Sequence, residues 1–489
     1  SGASPYKHKK YSLKSLKIED SPTTLPDMVW RNSILPIFVI SMLFIACEES
    51  PTPPSTLVGA PYSTDSKYIR DAGGAAILLR GTNISQVSKK APYHPTHMDE
   101  DGALETLNAH GPLAIRYLTS WAAIEPEEGS YDEEYLAGLS ERVKRLADAG
   151  HYIVLDLHQD VFGIGFVGGN GAPVWACEQS YYDSYEKPDG PWFLAYFEQE
   201  IKDCYDHLFG SEELLMKMAK ALRKASEVVK EAVGDQLIGI DLMNEPSNGN
   251  RDFSDFDPNY LQPYYFMAAE ELKHLDVVLL FEPNAFHNIE EAMNFTQAPA
   301  NGVYAPHFYP AEGEIGAYSG DIDYLDTYLY LSTSEAKILE TPLVFGEFGP
   351  WASDPKAIDF IRDFYELINR EFAGSFHWEY SERTSRSPIN EICLEKECPK
   401  ELFTPHPRRV AGTPKSYSFN PETATLNLCY NETAASLPTE ITLPESWYPA
   451  ELDITVSDGT YERDGRILKY THDYLQEEHC IEVKPGSNE

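Results

Sequence analysis

Leu237-Ile238-Gly239-Ile240-Asp241-Leu242-Met243-Asn244-Glu245-Pro246 is a short, nearly unbroken apolar run that stops on an amide, an acid and a proline. Apolar character over so few residues marks a strand buried on both faces, the kind a parallel sheet uses. The terminal acid must be desolvated and aimed at whatever lies above the sheet, a costly placement unless a site uses it. A second run ends the same way, with Pro342-Leu343-Val344-Phe345-Gly346 leading into Glu347-Phe348-Gly349.

Six similar runs surround these two. Ala76 to Gly81, Leu113 to Tyr117 and Tyr152 to Leu157 precede the Leu237 run. Val277 to Phe281 and Gly302 to His307 separate it from the Leu343 run, and Gly374 to Trp378 follows. Amphipathic segments at Glu133–Ala149, Glu212–Val233, Leu325–Leu339 and Pro355–Asn369 lie between strands. Strand and helix alternating eight times predict an α/β protein with a (β/α)8 TIM barrel. After Trp378 the period changes. Ser416–Phe419, Thr425–Tyr430 and Leu452–Val456 alternate as half-buried strands do, which predicts a small C-terminal β-sandwich.

The 489 residues suffice for both domains, and 42% hydrophobic with 12% aromatic residues describe a globular chain. Its net charge of −39 excludes phosphate backbones as natural partners, so no nucleic acid is expected.

Met28 to Ser33 offers a start and one positive charge, and the thirteen residues Ile34 to Ala46 are almost uniformly apolar. That is too short to span a bilayer and suits a signal-peptide core. Leu43-Phe44-Ile45-Ala46-Cys47, followed by acidic and Pro-rich residues, resembles a bacterial lipoprotein box, although Phe44 replaces the usual leucine. The expected organisation is therefore a non-native or upstream tail at 1–27, a lipoprotein-type signal at 28–47 and a flexible tether at 48–70. The catalytic barrel follows at 71–400 and the β-sandwich at 401–489. Export to a bacterial cell surface or outer membrane, or secretion, would follow. Cys47 would be the lipid anchor.

Removing Cys47 from the seven cysteines leaves six, an even number that fits an oxidising compartment. Neighbouring order suggests Cys177–Cys204, Cys393–Cys398 and Cys429–Cys480, three bonds out of fifteen possible pairings. Zinc motifs with paired short cysteine spacings are not present in the sequence, so disulfides are the expected use.

Barrel chemistry sits where strands end. Reading those ends gives Arg80, Arg116, His158 with Asp160, Asn244 with Glu245, His307 with Tyr309, Glu347, and Trp378. Two carboxylates on different strands are the apparatus of glycosidic cleavage, with retention requiring a nucleophile and an acid/base about 5 Å apart. Asn244 suits a sugar 2-hydroxyl, Tyr309 could position the nucleophile, and Trp378 could stack on a pyranose. Metal binding at His158-Gln159-Asp160 lacks further ligand spacing, and neither metal nor cofactor is expected.

Asn-Glu-Pro closing the fourth strand and Gly-Glu-Phe-Gly closing the seventh resemble glycoside hydrolase family 5 of the clan A barrels. Leu155 to Asp160, Gly171 to Ala176, Asp241 to Pro246 and the tail from Tyr417 resemble the endoglycoceramidases within it. The resemblance covers about residues 65–485. It implies Glu245 as acid/base and Glu347 as nucleophile of a retaining enzyme. Asn244, His158, Asp160, His307, Tyr309 and Trp378 would line the glucose subsite next to the lipid, with Lys89 as a sugar contact. Trp175 and Trp192 compete for a further aromatic role.

The substrate implied is a glycosphingolipid, cleaved between oligosaccharide and ceramide by a monomer that meets the membrane through its anchor or its substrate. The apolar loop Val161 to Gly169 is either one wall of a ceramide groove or packing on the barrel rim. The alternatives are a family 5 β-glucosidase or glucosylceramidase, an endo-β-glucanase or mannanase, and a non-catalytic glycan-binding lipoprotein.

Overall fold

The computed structural model describes residues 61–95, 101–289, 292–310, 317–351, 354–380, 399–432, 437–449, 451–474 and 476–486. The signal segment, Cys47 and the Cys393–Cys398 pair lie outside them.

Eight parallel strands run Arg80–Ile84, Ala114–Thr119, Tyr152–Leu157, Leu237–Asp241, Val278–Phe281, Gly302–Tyr304, Val344–Phe348 and Gly374–His377. Each pairs with the next except the sixth with the seventh, and the eighth pairs with the first. Single bridges from Tyr304 to Leu343 and from Phe308 to Phe348 join the sixth to the seventh and close the barrel. Val154, Ile238, Val278, Leu280, Val303, Val344 and Phe376 pack together in its interior. The predicted helices form at Glu133–Asp148, Glu212–Val233, Ile322–Leu339 and Ala357–Glu371. Asp132 and Ser211 cap the first two of these by accepting from Tyr135 N and Leu214 N.

The C-terminal domain is a β-sandwich, but it recruits residues from before the barrel. One sheet has four strands, Gly412–Asn420, Thr425–Glu432, Glu478–Pro485 and Leu452–Val456. The other has seven, and three of them are Tyr62–Thr64, Ile69–Asp71 and Ala76–Ile77. Leu426, Leu428, Ile441, Leu468, Ile481 and Val483 fill the core between the sheets, together with Ala75, Ala76 and Leu78.

Two expectations change. The tether expected over 48–70 gives way to sheet by Tyr62, because Ile69 and Ile77 find apolar partners that a solvated linker would not bury. The first predicted strand, Ala76 to Gly81, straddles two sheets. Ala76–Ile77 pairs with Val410 and Arg409 in the sandwich, and the barrel strand begins at Arg80.

Candidate active site

Arg80 stands at the start of its strand and therefore faces away from the barrel mouth. Its guanidinium donates to Asn369 Oδ1 at 3.0 Å and stacks 4.6 Å over Tyr365. Its placement among the strand-end residues is corrected accordingly.

The remaining residues of that set converge, with Arg116 reaching the site from inside the strand Ala114–Thr119 and not from its end. Glu245, His307 and Glu347 place one carboxylate oxygen each and a ring nitrogen within 4.8 Å of one another. His307 Nδ1 lies 2.8 Å from Glu245 Oε1 and 3.6 Å from Glu347 Oε2, while Nε2 lies 3.1 Å from Glu282 Oε1. Gly346 makes this approach feasible: a Cβ there would sit 3.1 Å from the His307 ring.

The two acids have different surroundings. Glu347 accepts from Arg116 Nη1 at 3.0 Å and from the Tyr309 hydroxyl at 3.0 Å, so both of its oxygens meet fixed donors. Burial raises its pKa, with the charge of Glu245 adding to that, while His307 and Arg116 pull it down. Glu245 is the more open of the two and accepts from Asn288 Nδ2 at 3.1 Å on the same oxygen that meets His307. Its backbone sits at φ +41°, a region side chains disfavour. Three bonds hold it there. Gln159 Nε2 donates to Asn244 O and Glu245 O at 2.7 and 2.8 Å, and Glu245 N donates to Glu282 Oε2 at 2.7 Å.

Beneath them Arg116, fully buried, meets Asp156, Asp241, Glu282 and Glu347 at 2.9 to 3.1 Å. Burial and the Glu282 carboxylate push Asp241 well above the usual carboxylate range, against the pull of Arg116. Burial works against a charge on His307, but Glu282, Glu347 and Glu245 together raise its pKa well above the ordinary imidazole value.

Across the mouth, Lys89 Nζ lies 2.6 Å from Asp160 Oδ2 and 4.3 Å from the Trp378 ring centroid. His158 stacks on Trp378 at 5.6 Å, and its Nδ1 meets Asp156 Oδ2 at 2.7 Å. Trp378 in turn clusters with Tyr309 and Leu118. Asn244 Oδ1 accepts from Arg116 at 2.9 Å and its Nδ2 donates to Gln159 O at 3.0 Å. The expected site residues Glu245, Glu347, Asn244, His158, Asp160, Lys89, His307, Tyr309 and Trp378 thus form one connected network.

The loop Val161 to Gly169 is mainly rim packing. Phe162 packs edge-on to Tyr205, and Phe166 to Tyr182 and Tyr185, while Val167 is 70% exposed. Trp175 is tied down by a bond to Glu125 O at 3.1 Å, whereas Trp192 is 48% exposed.

Sequence reading passed over Glu282 and Asn288, and met Gln159 only inside the His158-Gln159-Asp160 motif, with no role as a support for Glu245. Glu282 carried a usable signal, since it closes the fifth apolar run as Glu245 closes the fourth. Gln159 lies on the loop after the third barrel strand and Asn288 on the short 3-10 helix Ala285–Ile289, and no local pattern aims either at the site.

Residues 70–383 match the family model described as Cellulase (glycosyl hydrolase family 5), and 405–483 match the glycoside hydrolase family 5 C-terminal domain. Endoglycoceramidase I of Rhodococcus hoagii is 27% identical over 438 residues, spanning 83% of this chain and 84% of the relative. The ganglioside GM3 complex of endo-glycoceramidase II from a Rhodococcus species superposes with a TM-score of 0.75 at 26% identity. The lactosyl-enzyme intermediate of that enzyme gives 0.74 at 27%, and both cover 86% of this chain and 100% of theirs. The barrel and the sandwich each match a model of the same family, and the chain belongs to glycoside hydrolase family 5.

Proposed function

We propose that this enzyme hydrolyses the β-glycosidic bond between oligosaccharide and ceramide in glycosphingolipids, with retention through a double displacement. The observation that carries the reaction class is the pair Glu245 and Glu347, with oxygens within 4.8 Å, the close spacing of retaining enzymes. The relatives that match along most of the chain support the substrate.

In this reading Glu347 is the nucleophile. Two donors, Arg116 and Tyr309, reward its ionised form and aim it. Glu245 is the acid/base. Asn288 and His307 both occupy Oε1, which leaves Oε2 to carry the proton to the glycosidic oxygen. Glu347 attacks the anomeric carbon as that proton is delivered, the bond to ceramide breaks, and the sugar remains esterified to Glu347. The single negative charge of the pair passes from Glu347, now a neutral ester, to Glu245, which has given up its proton. Glu245 then takes a proton from water, whose oxygen attacks the same carbon and releases the oligosaccharide. Lys89, His158, Asp160, Asn244 and Trp378 form the wall that orients the glucose. All of these groups belong to one chain, which supports a monomeric enzyme.

Thin-layer chromatography of a ganglioside digest tests the substrate. Free intact oligosaccharide and ceramide are expected; stepwise release of single sugars would remove the endo-acting reading.

Export and anchoring through a lipidated Cys47 are part of the same proposal. The signal-like run before Cys47 and the disulfides Cys177–Cys204 and Cys429–Cys480 support an oxidising, extracytoplasmic setting. Mass spectrometry of protein expressed from Met28 in a bacterium should find acylated Cys47 at the mature N-terminus. An unmodified start elsewhere would exclude the anchor.

A further inference from the structure

His472 and His479 lie far along the chain from the catalytic residues, in the sandwich, and their rings stack with centroids 4.1 Å apart. His479 is fully buried and His472 is 7% exposed. Among the described residues neither Nε2 has a hydrogen-bond partner, although both atoms are buried. A buried ring nitrogen in that state is satisfied by an ordered water or an ion, and here two such nitrogens belong to stacked rings.

Their other ring nitrogens are already engaged. His479 Nδ1 meets Asp458 Oδ2 at 2.7 Å, and His472 Nδ1 meets the Tyr430 hydroxyl at 2.9 Å. The Tyr430 hydroxyl oxygen carries two lone pairs and can accept the hydrogen of His472 Nδ1. With both Nδ1 atoms carrying the hydrogen, both Nε2 lone pairs stay open. Metal-ligating histidines are arranged in this way, with the distal nitrogen held by a carboxylate or other acceptor. A third ligand is at hand. Glu432 Oε2 lies 3.9 Å from His479 Nε2, and one ligand atom from each of Glu432, His472 and His479 falls within 4.8 Å of the others.

We propose that Glu432, His472 and His479 form a divalent-cation site in the C-terminal β-sandwich. Two imidazoles and one carboxylate suit zinc, with water as the fourth ligand. Tetrahedral zinc needs ligand atoms about 3.3 Å apart, so binding draws the three side chains inward. Glu432, 29% exposed, is the one with freedom to move. The neighbouring sulfurs of Cys429 and Cys480 are joined to each other and offer no thiolate.

The placement gives the ion a task. Glu432 ends Thr425–Glu432 and His479 lies in Glu478–Pro485, adjacent strands of the four-stranded sheet. His472 directly follows Ile467–Thr471, a strand of the seven-stranded sheet. Asp458 lies between Leu452–Val456 and Thr460–Asp464, where the chain passes from one sheet to the other. The cation therefore pins the two sheets together at one end.

The test uses the full chain without an affinity tag, stripped with chelator, incubated with zinc chloride and desalted before elemental analysis. One zinc per chain should be retained by the parent and by Glu347→Gln, and lost from His472→Gln. Zinc should raise the melting midpoint of the parent and leave that of His472→Gln unchanged. His472→Gln should still hydrolyse an aryl β-glycoside at the parent rate, which reports a folded barrel. If that variant fails to fold, Glu432→Gln at the half-exposed edge should bind zinc at least tenfold more weakly. No retained zinc in the parent, or zinc lost from Glu347→Gln but kept by His472→Gln, overturns the proposal.

Discussion

The guanidinium of Arg116 donates to Glu347 Oε1 at 3.0 Å, and no part of that guanidinium reaches solvent. One cation thus serves four carboxylates, Asp156, Asp241, Glu282 and Glu347. Arg116→Lys keeps the charge but loses the fork that reaches them all. Its expected cost is about 3 kcal/mol of stability, in the range for breaking a buried ion pair. Activity should fall by about 10²-fold, the scale for losing one fixed donor to a reacting oxygen.

The pH profile of that variant gives a sharper readout. Burial raises the Glu347 pKa, and Arg116 is one of the charges that oppose the rise. Weakening that contact lets the pKa climb further. Glu347 must be ionised to attack, so the acid limb of kcat/KM should move to higher pH. An unmoved limb would show that Arg116 acts on the fold alone.

Glu245 and Glu347 should separate kinetically. Glu347→Gln removes the nucleophile and should abolish turnover of every substrate. Glu245→Gln removes proton delivery, worth about 10²–10⁴-fold. That loss should appear in full with a lipid glycoside, whose alkoxide leaves poorly, and much less in the first step with a nitrophenyl glycoside. Equal losses on both substrates would undo the assignment of Glu245 as acid.

The barrel was legible because parallel strands buried on both faces leave continuous apolar runs, and an acid ending such a run stands out. Glu245 and Glu347 stood out in that way. Arg116, Asp156 and Asp241 are charges inside such strands, and only their mutual distances explain why burial is tolerated. Tyr62–Thr64 and Ala76–Ile77 were not readable as sandwich strands. Two or three residues hold no period, and although Tyr62–Thr64 pairs with nearby Ile69–Asp71, the ribbon joins the sandwich only where Ala76–Ile77 meets Val410 and Arg409, far along the chain. The histidine pair of the sandwich was equally silent, since His472 and His479 meet only once two strands are folded.

Lys89 and Asp160 form a nearly buried pair whose partners favour each other's charged forms. Burial works against the charge on Asp160, yet Lys89 and His158 hold its pKa well below the usual range. A depressed carboxylate contributes stability above its unfolded pKa of about 3.9 and loses it as pH falls towards the folded value. Asp160→Asn leaves the Lys89 ammonium without its closest partner at 2.6 Å, at a cost of about 3 kcal/mol near neutrality. Denaturant melts of parent and variant should differ by a constant amount above pH about 4, and the gap should narrow steadily as pH falls below that.

Val167 is the exposed tip of an otherwise packed loop, and Trp192 and Phe197 are two other exposed apolar side chains that follow it in sequence. If the tip meets the ceramide chain, Val167→Asp should raise KM for a glycosphingolipid by about tenfold, the effect of losing roughly 1.4 kcal/mol of apolar contact. Hydrolysis of a short aryl glycoside should be unchanged. Equal KM values for the lipid in parent and variant would place the aglycone elsewhere.

Cys177 follows the rim segment that holds Trp175, and its bond to Cys204 fastens that segment to helix Gln199–Phe209. The closed loop has a sequence separation of 27, for which the chain-entropy model gives about 3.5 kcal/mol of stabilisation. Tyr205, next to Cys204, donates to Gln159 Oε1 at 2.6 Å, and Gln159 holds the backbone of Glu245. A double Ser variant, Cys177→Ser with Cys204→Ser, should therefore melt several degrees lower. It should also lose activity at temperatures below its melting midpoint, because the helix that carries Tyr205 loses its covalent tie to the rim. Melting followed by circular dichroism, with parallel activity assays, separates the two effects. Activity that tracks the folded fraction alone would show that the bond stabilises the rim without steadying Glu245.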